Sequence, residues 1–382
     1  MENHYTILEK LINFDTSSFK SNLESINYIE SLFKQKNNFK IYKVFNSNKD
    51  KCSLLIKPCG DIKKGILFSG HIDTVPVEGQ KWSTNPFRLV NKNKKLFGRG
   101  TVDMKGFLSI VISNMINQKL GQFPFCLSIT HDEETGCDGI YNLSKYVLNR
   151  KLILPDKCIV GEPTKMKIVT ANKGAEGIDT IVESRKNIGH SSNYNQKINT
   201  ITLSAELIVF LQSLQKQIPK KNLLKCKPNN TAIHIGMTKG GTAHNIIPKK
   251  TSFTWETRHI NEDLTYVKNK FFNFQRYLKK TYGRYSSDIQ IKNKIVFSVP
   301  GLKEKNQTSI INFMKQFNIY GNHHVPFGTE AGIIQKLGLS TIIFGPGSII
   351  QAHKPNEYIR IDQFEKFNLF LQNILINNKI YL

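Results

Sequence analysis

The sequence predicts an α/β protein: a mixed sheet flanked by helices, carrying an inserted α+β domain. Three observations lead there. Short β-type runs alternate with helical-period segments up to about residue 173, and such alternation argues for a sheet with helices on its faces. The order then changes to strand–helix–strand–strand–helix, typical of a small α+β unit. After about residue 286 the first pattern resumes. One discontinuous domain is therefore expected over 1–173 and 286–382, with the insertion at 174–285. A chain of 382 residues also suggests about two domains by length alone.

Each element has a local reason. Leu8, Leu11, Ile12, Ile26, Ile29, Leu32 and Phe33 fall at helical spacing, which predicts two helices broken near Asp15–Ser18. The runs 39–44, 52–56 and 65–69 predict strands. Phe107, Ile110, Val111, Met115 and Ile116 predict a long helix after Asp103. A strand at 125–129, a helix at 140–148 and a strand at 157–160 follow. In the insertion, strands are expected at 174–184, 231–237 and 250–259, and helices at 200–215 and 264–281. Helices at 308–317 and 333–336 and a strand at 341–344 complete the reading.

The formal charge is +25, with 54 Lys and Arg against 29 Asp and Glu. Polycations bind nucleic acids by releasing counterions. Here the charge is scattered in small groups such as Lys92, Lys94 and Lys95, without a basic block or an aromatic-basic module. Compositional drift accounts for it, and no nucleic-acid partner is expected. Steering of small anionic substrates remains open to such a charge. No apolar run approaches the ~18 residues of a membrane span, and the first residues lack the pattern of a signal peptide. A cytoplasmic protein without a membrane partner is the expectation. None of the six cysteines forms a C-x-x-C pair, so all are expected to be buried thiols.

The polar residues that interrupt this pattern carry the chemistry. His71 and Asp73 follow the apolar run 66–68, at the strand end where α/β sheets bind ligands. A His-x-Asp pair suits an ordinary loop as well as a metal ligand whose imidazole is oriented by the acid. Asp103, in Gly100-Thr101-Val102-Asp103, enters a helix. It is either a cap or a carboxylate shared between two cations. His131-Asp132-Glu133-Glu134 follows the strand 125–129. Four ionisable groups in a row suit a solvated loop, or a dication that neutralises them, with one carboxylate binding metal and the other moving protons. Glu162 leaves the strand 157–160, and His353 sits in Gln351-Ala352-His353-Lys354-Pro355-Asn356-Glu357. Two imidazoles and several carboxylates, each placed after a β-run, fit a pair of divalent cations.

These residues, in this order, resemble the M20 metallopeptidase and amidohydrolase family over the chain from about Gly70 to its C-terminus. The resemblance implies a zinc-peptidase-like catalytic domain with an inserted lid that mediates dimerisation. It implies two zinc ions, with cobalt as an alternative. His71 and Glu162 would hold one, Glu134 and His353 the other, and Asp103 both. Glu133 would be the general base and Asp73 would hold His71. In the lid, His190 of Gly189-His190-Ser191-Ser192 matches a histidine that polarises the scissile carbonyl. Asn245 matches a substrate loop, and Arg258 matches an arginine suited to an α-carboxylate.

Gly328-Thr329-Glu330-Ala331 and the segments 345–349 and 351–358 resemble the acetylornithine deacetylase subgroup. Thr329 and Glu330 are then candidate substrate contacts, with Glu330 either meeting a substrate ammonium or ordering its own loop. The implied activity is metal-dependent hydrolysis of an N-acyl amino acid, N-acetylornithine first, by a homodimer, in arginine biosynthesis. Other readings are a desuccinylase, aminoacylase or dipeptidase of the same family, or a non-catalytic polyanion binder on the same scaffold.

Overall fold

The computed structural model describes residues 2–36, 38–60, 62–118, 125–184, 189–192, 198–219, 224–283 and 287–377. The chain forms two compact units, one of 1–171, 302–324 and 329–382, the other of 172–301 and 325–328.

The first unit begins with α1 (His4–Asn13) and α2 (Leu23–Lys34), separated by residues 14–22, a gap that contains the break expected near Asp15–Ser18. Asn3 caps α1 by accepting from the amides of Tyr5 and Thr6. Strands β1 (Phe39–Phe45), β2 (Cys52–Pro58) and β3 (Ile66–His71) follow, then a small ribbon of β4 (Val90–Lys92) and β5 (Lys95–Phe97). Next come α3 (Lys105–Asn117), β6 (Phe125–Thr130), α4 (Glu133–Gly136), α5 (Asp138–Asn149), β7 (Lys157–Val160) and β8 (Val169–Asn172). The second unit holds β9 (Gly174–Ser184), α6 (Thr200–Gln217), β10 (Ala232–Gly240), β11 (Lys250–His259), α7 (Asn261–Thr281) and β12 (Ile289–Val299). The chain returns with α8 (Thr308–Lys315), β13 (His323–Val325), α9 (Ala331–Lys336), β14 (Ser340–Ile343), β15 (Tyr358–Arg360) and α10 (Ile361–Asn377).

The large sheet is mixed, in the order β1-β2-β6-β3-β7-β14-β8-β13. Its four central strands are parallel: β6 with β3, β3 with β7, and β7 with β14. They are buried throughout, as a sheet covered on both faces requires. Helix α3 is apolar on nearly every side and buried from Lys105 to Ile116, which marks it as a core helix rather than a surface one. It packs against α1, α10 and the sheet. The register aligns His71 with Thr130, and Val160 with both Ser69 and Ile343. All four parallel strands therefore end on one edge, and the polar motifs that follow them emerge there together.

The second unit is a four-stranded antiparallel sheet, β10-β11-β9-β12, with α6 and α7 packed on it. Strand β11 alternates strictly: Phe253, Trp255, Thr257 and His259 are buried, while Thr254, Glu256 and Arg258 turn outward. The Trp255 indole donates to Thr180 Oγ1 at 3.1 Å and meets Phe271 edge-on at 5.0 Å. Sequence reading ended this unit at 285, in a stretch that includes residues outside those described. In the structure β12 pairs with β9 along its whole length, so residues 287–301 belong here and complete a βαββαβ order. Strand β12 escapes pattern recognition because it is an edge strand. Its middle, with Lys292 and Lys294, is solvated and shows no alternation of burial.

The thiols need one correction. Cys52, Cys126, Cys137 and Cys158 are buried, but Cys59, in the turn after β2, is exposed and Cys226 partly so. No helix among the described residues is long and apolar enough to cross a membrane.

Burial pushes the His259 imidazole down to about 4, against the attraction of Glu176. The folded state then refuses a proton that the unfolded chain accepts near 6.5. Stability from this residue is complete above about 6.5 and is lost as pH falls toward 4, at up to ~1.4 kcal/mol per pH unit. Urea denaturation between pH 7 and 4.5 should show a shallower pH slope for His259→Gln than for the wild type. Equal slopes would contradict the assignment.

Candidate dinuclear metal centre

His71 ends β3, and its side chain is about 1% exposed. Its Nδ1–H donates to the main-chain carbonyl of Asp73 at 2.9 Å. That bond turns Nε2 toward Asp103 Oδ1, 3.0 Å away, and Glu162 Oε1, 3.7 Å away. On the other side His353 Nε2 lies 3.3 Å from Asp103 Oδ2 and 3.1 Å from Glu134. The two oxygens of Asp103 therefore face two different imidazoles. Asp103 does not cap α3: the cap position is Met104, without a side-chain capping bond. Ligand-type atoms of His71, Asp103 and Glu134 lie within 4.8 Å of one another, and so do those of His71, Glu133 and Glu162.

The electrostatics point to cations. Burial, then the proximity of Asp103, pushes Glu162 well above its ordinary value and raises Glu134 as well. Burial and the neighbouring Glu134, Asp73 and Asp103 push Glu133 up to about 8, against the pull of His71. Asp103 goes the other way. Burial works against its charge, but hydrogen bonds with His353 and His71 hold it below the carboxylate range. Bonds to Asp103 and Glu134 push His353 up to about 10. Burial opposes charge on His71, yet Asp103 and Asp73 push it well above 6.5. Five carboxylates, counting Asp73, thus crowd around two imidazoles. One shared carboxylate with an imidazole and a carboxylate on each side is a donor set that fits two divalent cations.

Asp73 does more than its spacing predicts. Its carboxylate is 3.6 Å from His71 Nδ1 and accepts from the amides of Glu133 and Glu134, each at 3.2 Å, and from Ser18 Oγ at 3.1 Å. It ties the 133–134 turn to the end of β3. Cys137 Sγ lies 3.6 Å from Glu133 Oε1. Gly161 precedes Glu162 and touches the buried Phe107: a Cβ there would sit 2.3 Å from the ring. Gly161→Ala should cost about 1–3 kcal/mol by overpacking and displace Glu162. Thermal melting and metal titration would read both effects.

The profile of peptidase family M20/M25/M40 matches residues 67–377. The chain belongs to that family. An acetylornithine deacetylase of Buchnera aphidicola subsp. Schizaphis graminum is 33% identical over 365 residues, 92% of each chain. Among solved structures, an M20 metallo-carboxypeptidase from Sulfolobus solfataricus superposes with a TM-score of 0.73 at 18% identity, covering 99% of both chains. A dinuclear metal binding M20 peptidase from Bacillus subtilis gives 0.65 at 11%, covering 98% of this chain and 97% of its own. The mixed sheet flanked by helices is thus an M20 fold, and the chain is an M20 hydrolase.

The remaining M20 candidates fall into two groups. In the second unit His190 is exposed and bridges to Ile246, while Ser191 N donates to the Asn245 carbonyl at 3.0 Å. The two loops expected to meet substrate are therefore neighbours. Arg258 projects from the outward face of β11 and pairs with Glu256 at 3.3 Å.

Thr329 and Glu330 are placed differently from the expectation of substrate contacts. Both are buried. Thr329 Oγ1 accepts from Ala331 N at 3.1 Å. The Glu330 carboxylate accepts from Ser69 Oγ and, at 2.8 Å, from Thr130 Oγ1, which fixes α9 beneath the ends of β3 and β6. Loop ordering is the role this geometry supports, because both oxygens are engaged in the core. Sequence reading assigned nothing to Arg99 or Glu357, a buried ion pair at 2.8 Å beside Asp103. The only signal was a charged residue between glycines in Gly98-Arg99-Gly100.

Proposed function

We propose that this M20 hydrolase is a two-metal amidohydrolase that removes the acyl group from an N-acyl amino acid, with N-acetylornithine as its preferred substrate. The observation that carries the reading is Asp103, whose two oxygens face His71 and His353 separately. The 33% identity to an acetylornithine deacetylase supports the substrate.

Two divalent cations, zinc or cobalt by the borderline N/O donor set, would be held by His71 and Glu162, by Glu134 and His353, and by Asp103 between them, and would polarise the acyl carbonyl and acidify the attacking water. Glu133 takes the proton of that water as its oxygen adds to the carbonyl carbon. The C–N bond then breaks, and Glu133 returns the proton to the departing amine. Acetate and the free amino acid result. One carboxylate serves both transfers only if its affinity for a proton is near the working pH. Desolvation and the neighbouring acids move Glu133 in that direction, and bound cations pull it back. Asp73 keeps the turn carrying Glu133 in place.

By the family resemblance, His190 donates an N–H to the carbonyl oxygen as charge develops there, and Arg258 takes the α-carboxylate, with Asn245 assisting. The resemblance also supports a homodimer formed through the second unit. Strand β10 is an edge of that sheet and is exposed over most of its length, which suits pairing with another copy.

The test is acetate release from N-acetylornithine by zinc-loaded and chelator-treated protein, beside N-succinyl-diaminopimelate and simple dipeptides. Metal-dependent turnover fastest on N-acetylornithine supports the reading. Faster turnover of another substrate relocates the specificity, and turnover indifferent to chelation overturns the two-metal chemistry.

A further inference from the structure

Glu357 is a carboxylate that the proposed chemistry does not use, and it is about 1% exposed. Its Oε2 accepts from Gly100 N at 3.0 Å and from Arg99 Nη1 at 2.8 Å. Its Oε1 accepts from Val102 N at 2.9 Å and Asp103 N at 3.2 Å. Three amides of the turn that delivers Asp103 thus end on one side chain. Its own carbonyl accepts from Gly98 N at 3.1 Å, which fastens the start of the same turn.

The contacts continue toward the other imidazole. Arg99, also about 1% exposed, donates through Nη2 to Gln80 Oε1 at 2.7 Å, and its guanidinium lies 5.1 Å over the Trp82 ring. Gln80 Nε2 donates to the main-chain carbonyl of His353 at 3.2 Å. His353 has φ of +62°, a left-handed conformation that a residue with a Cβ adopts only when its surroundings hold it. Half of its side chain, 51%, is exposed, against 1% for His71. Core packing therefore fixes His71, whereas His353 depends on such polar contacts.

We infer that Glu357, Arg99 and Gln80 form one polar frame that fixes Asp103 and His353 relative to each other, and thereby sets the affinity of the cation position these two share with Glu134. The inference rests on the two-metal reading above. These are positioning residues: none of them supplies a ligand atom. The frame is a buried charge pair in which both Glu357 oxygens and both terminal nitrogens of Arg99 are hydrogen-bonded, leaving Arg99 Nε without a partner among the described residues, and a buried pair held by several bonds holds geometry. It is also selective. Of the candidate ligand residues, Gln80 bonds directly only to His353, so losing it weighs on one cation position. Glu357 holds the turn of the shared Asp103, so its loss reaches both positions and weighs most on the one that also contains His353.

The experiment is a cobalt(II) titration of chelator-treated protein, followed by visible absorption and by competition with a chromophoric chelator. Wild type should take two equivalents. In Gln80→Ala the second should weaken on the order of tenfold with an altered spectrum, while the first equivalent and the melting temperature of the metal-free protein stay as in wild type. Gln80→Glu keeps an acceptor for Arg99 but has no N–H for the His353 carbonyl, and should show the same loss. Glu357→Gln should lose at least as much at the second equivalent. An unchanged second equivalent in both Gln80 variants overturns the inference, as does equal weakening of both equivalents in them. A wild type that takes fewer than two ions overturns the two-metal reading, and this inference with it.

Discussion

Glu133→Gln should lower kcat on N-acetylornithine about a thousandfold, an added barrier of about 4 kcal/mol, while the protein still takes two cations. The amide has the shape of the carboxylate but cannot accept the proton of the attacking water. Glu133 is one of two adjacent acids, and only Glu134 lies within 3.1 Å of His353. The neighbouring acid can therefore stay on the metal when Glu133 is neutralised. Metal analysis and acetate release on the same preparation separate the two roles. Near-normal turnover would remove Glu133 as the base. A loss of metal together with activity would make it a ligand, which its closeness to His71 and Glu162 also permits geometrically.

Asp103→Asn should have a larger effect on the metal centre than any other single change. It removes the charge shared by both halves, so metal content should fall from two to one or fewer and turnover to background. The metal-free protein supplies a second readout. Hydrogen bonds with His353 and His71 hold Asp103 below the carboxylate range despite its burial. Its stabilising contribution is therefore complete above the unfolded value near 3.9 and is lost as pH falls below it. Chelator-treated Asp103→Asn should melt below chelator-treated wild type at pH 7, and the gap should close on acidification below about 4. A gap that widens in acid, or two cations retained by the variant, would contradict the shared-carboxylate assignment.

Much of the site was legible because its signals are local. A His or an acid that interrupts or follows a β-run can be seen without knowing the fold, and His71, Glu133, Glu134 and Glu162 are of that kind. His353 lies ten residues beyond β14, and only its company in the motif marked it. The role of Asp103 was not given by spacing, since an acid before a helix is more often a cap. The absence of a capping bond at Met104 argues against the cap, and the imidazoles facing the two oxygens of Asp103 support the shared-carboxylate reading. The fate of Glu330 was not legible either. Sequence left it between a substrate contact and a loop-ordering acid, and two hydroxyls from β3 and β6, 261 and 200 positions away, hold it in the core.

By itself, the sequence determined which elements form and which side chains interrupt them, because periodicity, capping and the cost of burying charge act over a few residues. Its motifs pointed to the family, and through that resemblance to a candidate ligand set. Only the tertiary structure decided that four parallel strands end level, that β12 closes the second sheet, and that Glu357 and Asp73 hold the turns carrying Asp103 and Glu133–Glu134. Those outcomes depend on pairings between segments far apart in the chain, where the energy of a contact exists only once both partners have been brought together.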